Sequence, residues 1–299
     1  MSIDIFHSKD FTCVGYGVDT REKSAWIAER LAATPIPGVR LVVPASATAE
    51  QIGQAHDSRY VRAFFNGHPM READRNGMGS WSTDLRTSVL ASIGGVIASA
   101  RTSYAKKVNS GSLSSGLHHA RFSFGAGFCT FNGLVIAATE LLKLGARRVL
   151  ILDLDAHCGG GTASLIEGMN GVEQVDIGVS SFDSYASTHN SVLTMSSGAT
   201  YLPDVQNVLQ LIADPTSIDV VLYNAGMDPH ERCSTGGSEG ITIRDLETRE
   251  QVVFAWAASH GIPVSFALAG GYSGRRLSKD ELVDLHLMTV TAALAGNYK

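Results

Sequence analysis

Residues 151–162 read ILDLDAHCGGGT, an apolar run that ends in Asp153, Asp155 and His157 at alternate positions before three glycines. A strand that only fills a core has no use for these groups, because burying an unpartnered carboxylate is costly. Either the run ends at a solvated edge, or the acids hold something positive. On an extended chain Asp155 and His157 point to the same side. Asp228, past the end of the similar run VVLYNAGMDPHE, is the candidate third member. Two carboxylates and one imidazole make an open three-ligand set for Zn²⁺. Metal-assisted hydrolysis also needs a base for the water and a donor for the carbonyl oxygen. GLHHARFSFGAGFC offers the adjacent His118 and His119, and VSFALAGGYSG offers Tyr272 after its glycines. Singly, each has a plain structural explanation: a solvated acid, a turn histidine, a core aromatic. Together they make the parts of a hydrolytic site.

These side chains meet only if the elements beneath them bring several loops to one edge. Apolar, β-rich runs bounded by turn residues predict strands over 149–154, 175–180, 219–224 and 263–268. Helical periodicity predicts helices over 20–33, 84–102, 131–145, 203–213, 243–260 and 279–296. Near-continuously apolar strands separated by helices imply an α/β fold, a mainly parallel sheet covered on both faces. Ligands collect at the carboxyl ends of such strands, where the runs bearing Asp155, Asp228 and Tyr272 end; GLHHARFSFGAGFC lies upstream in a Gly-rich stretch without clear periodicity. No linker or internal repeat interrupts the sequence, so one domain over 1–299 is expected.

Composition narrows the partners. A net charge of −5 without a Lys/Arg run argues against a nucleic-acid binder. No apolar run reaches the ~20 residues of a membrane span, and MSIDIFHSKDFT lacks the basic head and apolar core of a secretory signal. Cys13, Cys129, Cys158 and Cys233 are dispersed without CxxC spacing, which implies neither a disulfide framework nor a thiolate zinc site. The expected location is a reducing cytoplasm.

Four blocks in order, LHHARFSFGAGFCTFN, LDLDAHCGGGT, NAGMDPHE and LAGGYS, resemble the signature blocks of the zinc-dependent histone deacetylase family. AHDSRYVRAF at 55–64 resembles that family's early block, and the likeness extends over roughly 50–275. The resemblance implies a three-layer α/β/α domain of the arginase–deacetylase fold with one Zn²⁺ per chain. It assigns Asp155, His157 and Asp228 as metal ligands, His119 as general base and His118 as its electrostatic neighbour. Asp153 corresponds to the acid that hydrogen-bonds His118, and Tyr272 to the group that polarises the acyl carbonyl. Gly127 and Phe128 correspond to a wall of the acyl tunnel. Asp153, Asp155, His157, Ser180 and Ser181 correspond to a K⁺ site. The implied reaction is hydrolysis of the amide of an acylated amine, such as acyl-lysine or an acetylpolyamine.

The chain departs from the family pattern in three places. Cys158 replaces a second histidine, and Gly160 replaces the acid or amide that orients the base, so the support of His119 is expected to come from water or from another residue. The run Gly159–Gly161 is expected to need positive φ. SSFDSYASTHNS lacks the Pro/Gly-rich pattern that carries the opposite tunnel aromatic, which leaves Tyr185 and His189 as candidates, and GMGSWSTDLR shows no rim aspartate. Cys129 and Cys158 are expected to be small buried residues, because the Asp/His/Asp set is complete without them. An arginase-like dimetal ureohydrolase also opens its signature with DAH, but Gly159 stands where that branch carries an acid. A degenerate binding protein of the same fold is motivated by Cys158 and Gly160; retention of the ligand set and Tyr272 argues against it.

Overall fold

VLILD, the apolar stem of the Asp/His run, forms β4 (Val149–Asp153), and every residue of it is buried. The structure is a computed structural model that describes residues 2–13 and 19–297. β4 lies in one sheet with β1 (Ile3–Phe6), β2 (Val39–Val42), β3 (Ser110–Ser112), β5 (Val172–Gly178), β6 (Ser191–Met195), β7 (Val220–Asn224) and β8 (Val264–Ala267). The order is β2-β1-β3-β8-β7-β4-β5-β6, with every neighbouring pair parallel.

Parallel neighbours cannot be joined by hairpins, so helices cross both faces. They are α1 (Asp19–Ala33), α2 (Ala49–Ile52), α3 (Ser58–Asn66), α4 (Met70–Ala73), α5 (Thr83–Lys106), α6 (Gly133–Lys143), α7 (Gly160–Ile166), α8 (Tyr201–Leu211), α9 (Ile243–Ser259) and α10 (Lys279–Gly296). Local chemistry starts the long ones: the Asn132 side chain caps α6, and Thr242–Asp245 and Ser278–Glu281 close capping boxes on α9 and α10. Side chains alternate across the sheet, so each strand feeds two cores. Leu150, Leu152 and Tyr223 pack with Ile27, Val253 and Val290 on one face. Val149, Ile151 and Leu222 pack with Ile93, Leu134 and Leu141 on the other. Each fully buried aliphatic side chain contributes about 1.5–3 kcal/mol, which makes a stiff floor under the strand ends. No helix among the described residues is long and apolar enough to cross a membrane.

The sheet also explains where a ligand belongs. From β4 the chain winds to β5 and β6 on one side; from β7 it returns to β8 on the other. The crevice between the carboxyl ends of β4 and β7 is therefore a topological switch point. Register sets Asp153 beside Asn224 of β7 and Asp176 of β5, so polar groups line that edge.

The predicted helices and four of the strands are present, but β1, β2, β3 and β6 fall outside the sequence expectation, and β5 begins at Val172 rather than 175. β3 is only Ser-Gly-Ser, and its extended form is imposed by pairing with β1 and β8. A Cβ at Gly111 would overlap the Phe266 ring, so a side chain has no room there. β2 and β6 are edge strands with exposed faces, which hides the apolar pattern.

Candidate functional site

Asp155 and His157 follow β4, Asp228 follows β7, and one donor atom from each lies within 4.8 Å of the others. Backbone amides hold the two carboxylates in place. Gly270 N–H, from the loop after β8, donates to Asp155 Oδ2 at 2.6 Å, and Ala156 N–H donates to Asp228 Oδ1 at 2.9 Å. His157 Nδ1 stands 3.1 Å from both Asp155 Oδ1 and Asp228 Oδ2.

Three observations fit a divalent cation at this point. Asp228 Oδ2 is buried, and the only polar hydrogen it could meet among the described residues is one on His157 Nδ1, 3.1 Å away. A Cβ at Gly270 would overlap the Asp228 carboxylate, so the backbone is kept bare beside the acids. Charge is also unbalanced: burial, then Asp155 alongside, pushes Asp228 up to about 6. Burial opposes a charge on His157, yet the two carboxylates outweigh it and push its pKa up to about 11. The cluster thus draws a proton to the nitrogen a cation would occupy, and the donor set is the mixed oxygen and nitrogen kind that zinc accepts.

His118 and His119 sit in the irregular stretch after β3, with ring centroids 3.9 Å apart, and both are buried. His118 Nδ1 donates to Asp153 Oδ2 at 2.7 Å, while Asn224 Nδ2 donates to Asp153 Oδ1 at 2.8 Å. The acid at the end of β4 is therefore turned toward His118 and away from the metal-type cluster. Burial works against a charged His118, but Asp153 and Asp155 push its pKa up to about 10.

His119 finds in another residue the support that Gly160 does not give. Its Nδ1 donates at 2.9 Å to Asp183 Oδ2, an acid on the loop between β5 and β6. Gly161 N–H donates to the same oxygen at 3.0 Å, and Arg121 forms an ion pair with Asp183 Oδ1. Gly160 is small because Asp183 fills its space: a Cβ there would overlap the Asp183 carbonyl and crowd its carboxylate. None of Gly159, Gly160 and Gly161 has positive φ, so close approach, not backbone strain, explains these glycines. Burial and then the charge on His118 push His119 down to about 4, against the pull of Asp183.

The opposite wall of the cleft is a second correction. Phe182, not Tyr185 or His189, faces the histidines, edge-on to His119 at 4.9 Å and to His157 at 5.9 Å between centroids. Tyr185 lies beside the buried Asp176, and His189 is exposed. Phe128 lines the cleft with His118, His119 and Tyr272. Gly127 has φ +50°, and a Cβ there would overlap the His119 ring, so only glycine leaves the base uncovered. Cys233 anchors the Tyr272 backbone through both its N–H and its carbonyl. All four cysteines are buried, and no disulfide forms among the described residues. Ser180 pairs with His157 in a single parallel bridge. Asp183, Arg121 and Phe182 are the site residues that sequence reading missed. The available signal was weak, an aromatic–acid pair in a loop after a strand ending on the same edge.

The model of the histone deacetylase domain matches residues 18–283, and the chain belongs to that family. It is 30% identical to an uncharacterized protein of Picosynechococcus sp. over 223 residues, 73% of this chain and 74% of that protein. Histone deacetylase 2 of Arabidopsis thaliana is 30% identical over 58% of this chain and 47% of its own length. A probable deacetylase of Archaeoglobus fulgidus is 30% identical over 49% of this chain and 42% of its own. The matched part thus spans less than half of those two relatives. The crystal structure of the HDA15 HD domain shares the fold, with a TM-score of 0.80 over 97% of this chain and 90% of that one, at 19% identity.

Proposed function

We propose that the protein is a zinc-dependent deacylase that hydrolyses the amide of an acylated amine. One observation carries this reading: the Asp155, His157 and Asp228 cluster shares a cleft with His118, His119 and Tyr272. Membership of the histone deacetylase domain family, with deacetylases among the named relatives, supports the same class.

Zinc held by Asp155, His157 and Asp228 would supply Lewis acidity, drawing electrons from the acyl carbonyl and making water a stronger acid. Every other role falls to the chain itself. Phe128 and Phe182 offer apolar faces to the alkyl stem of the amine. His119, with Nδ1 committed to Asp183, presents Nε2 to take a proton from the attacking water; a pKa of about 4 keeps it free at neutral pH. His118 sets a positive charge beside the anion that develops. The Tyr272 phenol, raised by burial well above its usual range, stays protonated and donates to the oxyanion. The proton on His119 then passes to the nitrogen as the C–N bond breaks. Acyl-lysine, acetylpolyamines and other small acylated amines all meet these requirements. The family resemblance also supports a structural K⁺ among Asp153, Asp155, His157, Ser180 and Ser181, to which nearby backbone carbonyls would contribute.

Metal analysis together with a panel of acyl-lysine peptides, acetylpolyamines and small acyl-amines tests the reading. The parent should carry about one zinc per chain and hydrolyse part of the panel, and Asp228→Ala should lose both metal and hydrolysis. Tight, stoichiometric metal in Asp228→Ala would remove Asp228 from the site. A zinc-loaded parent inert on the whole panel would mark a binding protein of the same fold.

A further inference from the structure

We infer that Asp183, clamped by Arg121, is the positioning residue of His119, and that the loop carrying it sets the base and the substrate wall as one unit. The inference rests on the deacylase reading for its kinetic consequence, but its structural content stands on Asp183, a residue outside the four signature blocks, and on the contacts it makes.

The loop between β5 and β6 is stitched to the turn after β4. Val179 and Ser180 N–H groups donate to Ala156 O at 2.9 and 2.8 Å, and Cys158 N–H donates to Phe182 O at 3.0 Å. These bonds carry the chain to Asp183, which adopts φ +60°, a conformation that Asp, Asn and Gly accept more readily than other residues. The left-handed residue turns Asp183 inward while its neighbour Phe182 lies across His119 and His157.

Each oxygen of the Asp183 carboxylate has a distinct task. Oδ2 accepts from His119 Nδ1 and Gly161 N–H, which fixes the imidazole plane and leaves Nε2 as the basic nitrogen. Oδ1 takes the Arg121 guanidinium, whose other arm donates to Gly160 O at 2.6 Å. Arg121 lies two residues after the base and ties the base's own segment, the glycine turn and the β5–β6 loop together. An acid at position 160 would collide with this arrangement. Groups supporting a catalytic or ligating histidine are commonly worth 10–100-fold in activity, roughly the effect expected here.

The experiment compares Asp183→Asn, Asp183→Gly and the parent. Both variants accept a positive φ, so loop conformation is not the variable; only Asn keeps an oxygen for His119. Nitrogen-15 NMR of the metal-free proteins, with the His119 signals assigned through His119→Gln, reads the tautomer. The parent should hold the Nδ1–H form. Asp183→Asn should retain it, and Asp183→Gly should lose it. In the zinc-loaded proteins kcat should fall by roughly 10–100-fold in Asp183→Gly and less in Asp183→Asn, with a smaller change in KM. A parent lacking the Nδ1–H form, or the same tautomer in Asp183→Gly, overturns the inference. Equal kcat losses in both variants with the tautomer unchanged would reduce Asp183 to a loop fastener, which also overturns it. A parent that hydrolyses nothing defeats the deacylase reading alone, because the tautomer result still decides the role of Asp183.

Discussion

His118 and His119 are adjacent in the chain, both are buried and each donates Nδ1 to an aspartate, yet their acidities are pushed in opposite directions. Asp153, facing His118, stands at a strand end with no arginine or lysine among its hydrogen-bond partners. With Asp155 close by at 3.7 Å, the imidazole is the cation these carboxylates recruit, and its pKa climbs to about 10. Asp183, facing His119, is already answered by Arg121. Burial and the charged His118 then prevail, and His119 falls to about 4. A carboxylate raises a histidine's pKa strongly only where no other cation shares it. In the proposed deacylase reading this difference would divide the labour of the pair: one histidine would hold a charge and the other would be free to accept a proton.

Breaking the pair at its basic member should have the largest effect. His119→Gln is expected to lower kcat by about 10²–10⁴, the usual worth of a general base, with metal content unchanged. If it hydrolysed at the parental rate, the base would have to be His118 and the division would be inverted. Tyr272→Phe touches neither histidine–aspartate pair and serves as an internal reference. It should cost about 10²–10³ in kcat through loss of the oxyanion donor; an unchanged rate would leave Tyr272 a packing residue. The finest cut is Arg121→Gln. Without the guanidinium, the Asp183 charge bears fully on His119 and favours its protonated form, so the pKa rises from about 4. The ascending limb of kcat/KM against pH should therefore move to higher pH. At neutral pH the rate should change by less than about tenfold, because a partly exposed ion pair is screened by water. A limb that stays or moves down would show that Arg121 does not share the Asp183 charge.

The architecture around β4 and β7 was legible because buried parallel strands need continuous apolar runs, and VLILD and VVLYN supply them with polar groups at their ends. Asp155 and His157 share a side by the period of an extended chain. The four ordered blocks carried the family likeness in the same way, through spacing along the chain. Local pattern determined this much, because each of those signals is contained in a short window of sequence.

What supports His119 could not be found that way. Position 160 is where the motif places an acid, and Gly160 there left the support of His119 to water or to a residue the motif does not name. The partner lies 64 residues from His119 in sequence, on a loop whose composition resembles any polar turn. The tertiary fold brings it home: β4 and β5 are hydrogen-bonded neighbours, so the loops beyond their carboxyl ends touch, and backbone bonds from 179–182 hold Asp183 against the histidine. Phe182 replaces Tyr185 and His189 as the facing aromatic for the same reason, since a left-handed residue at 183 decides which neighbours turn inward. The residue types for hydrolysis, and the strands that precede Asp155, Asp228 and Tyr272, were determined by the sequence alone; β3, which precedes His118 and His119, was not. Which carboxylate serves which histidine, and hence which of the two is free to accept a proton, was decided only by packing, because charge acts through space and not along the chain.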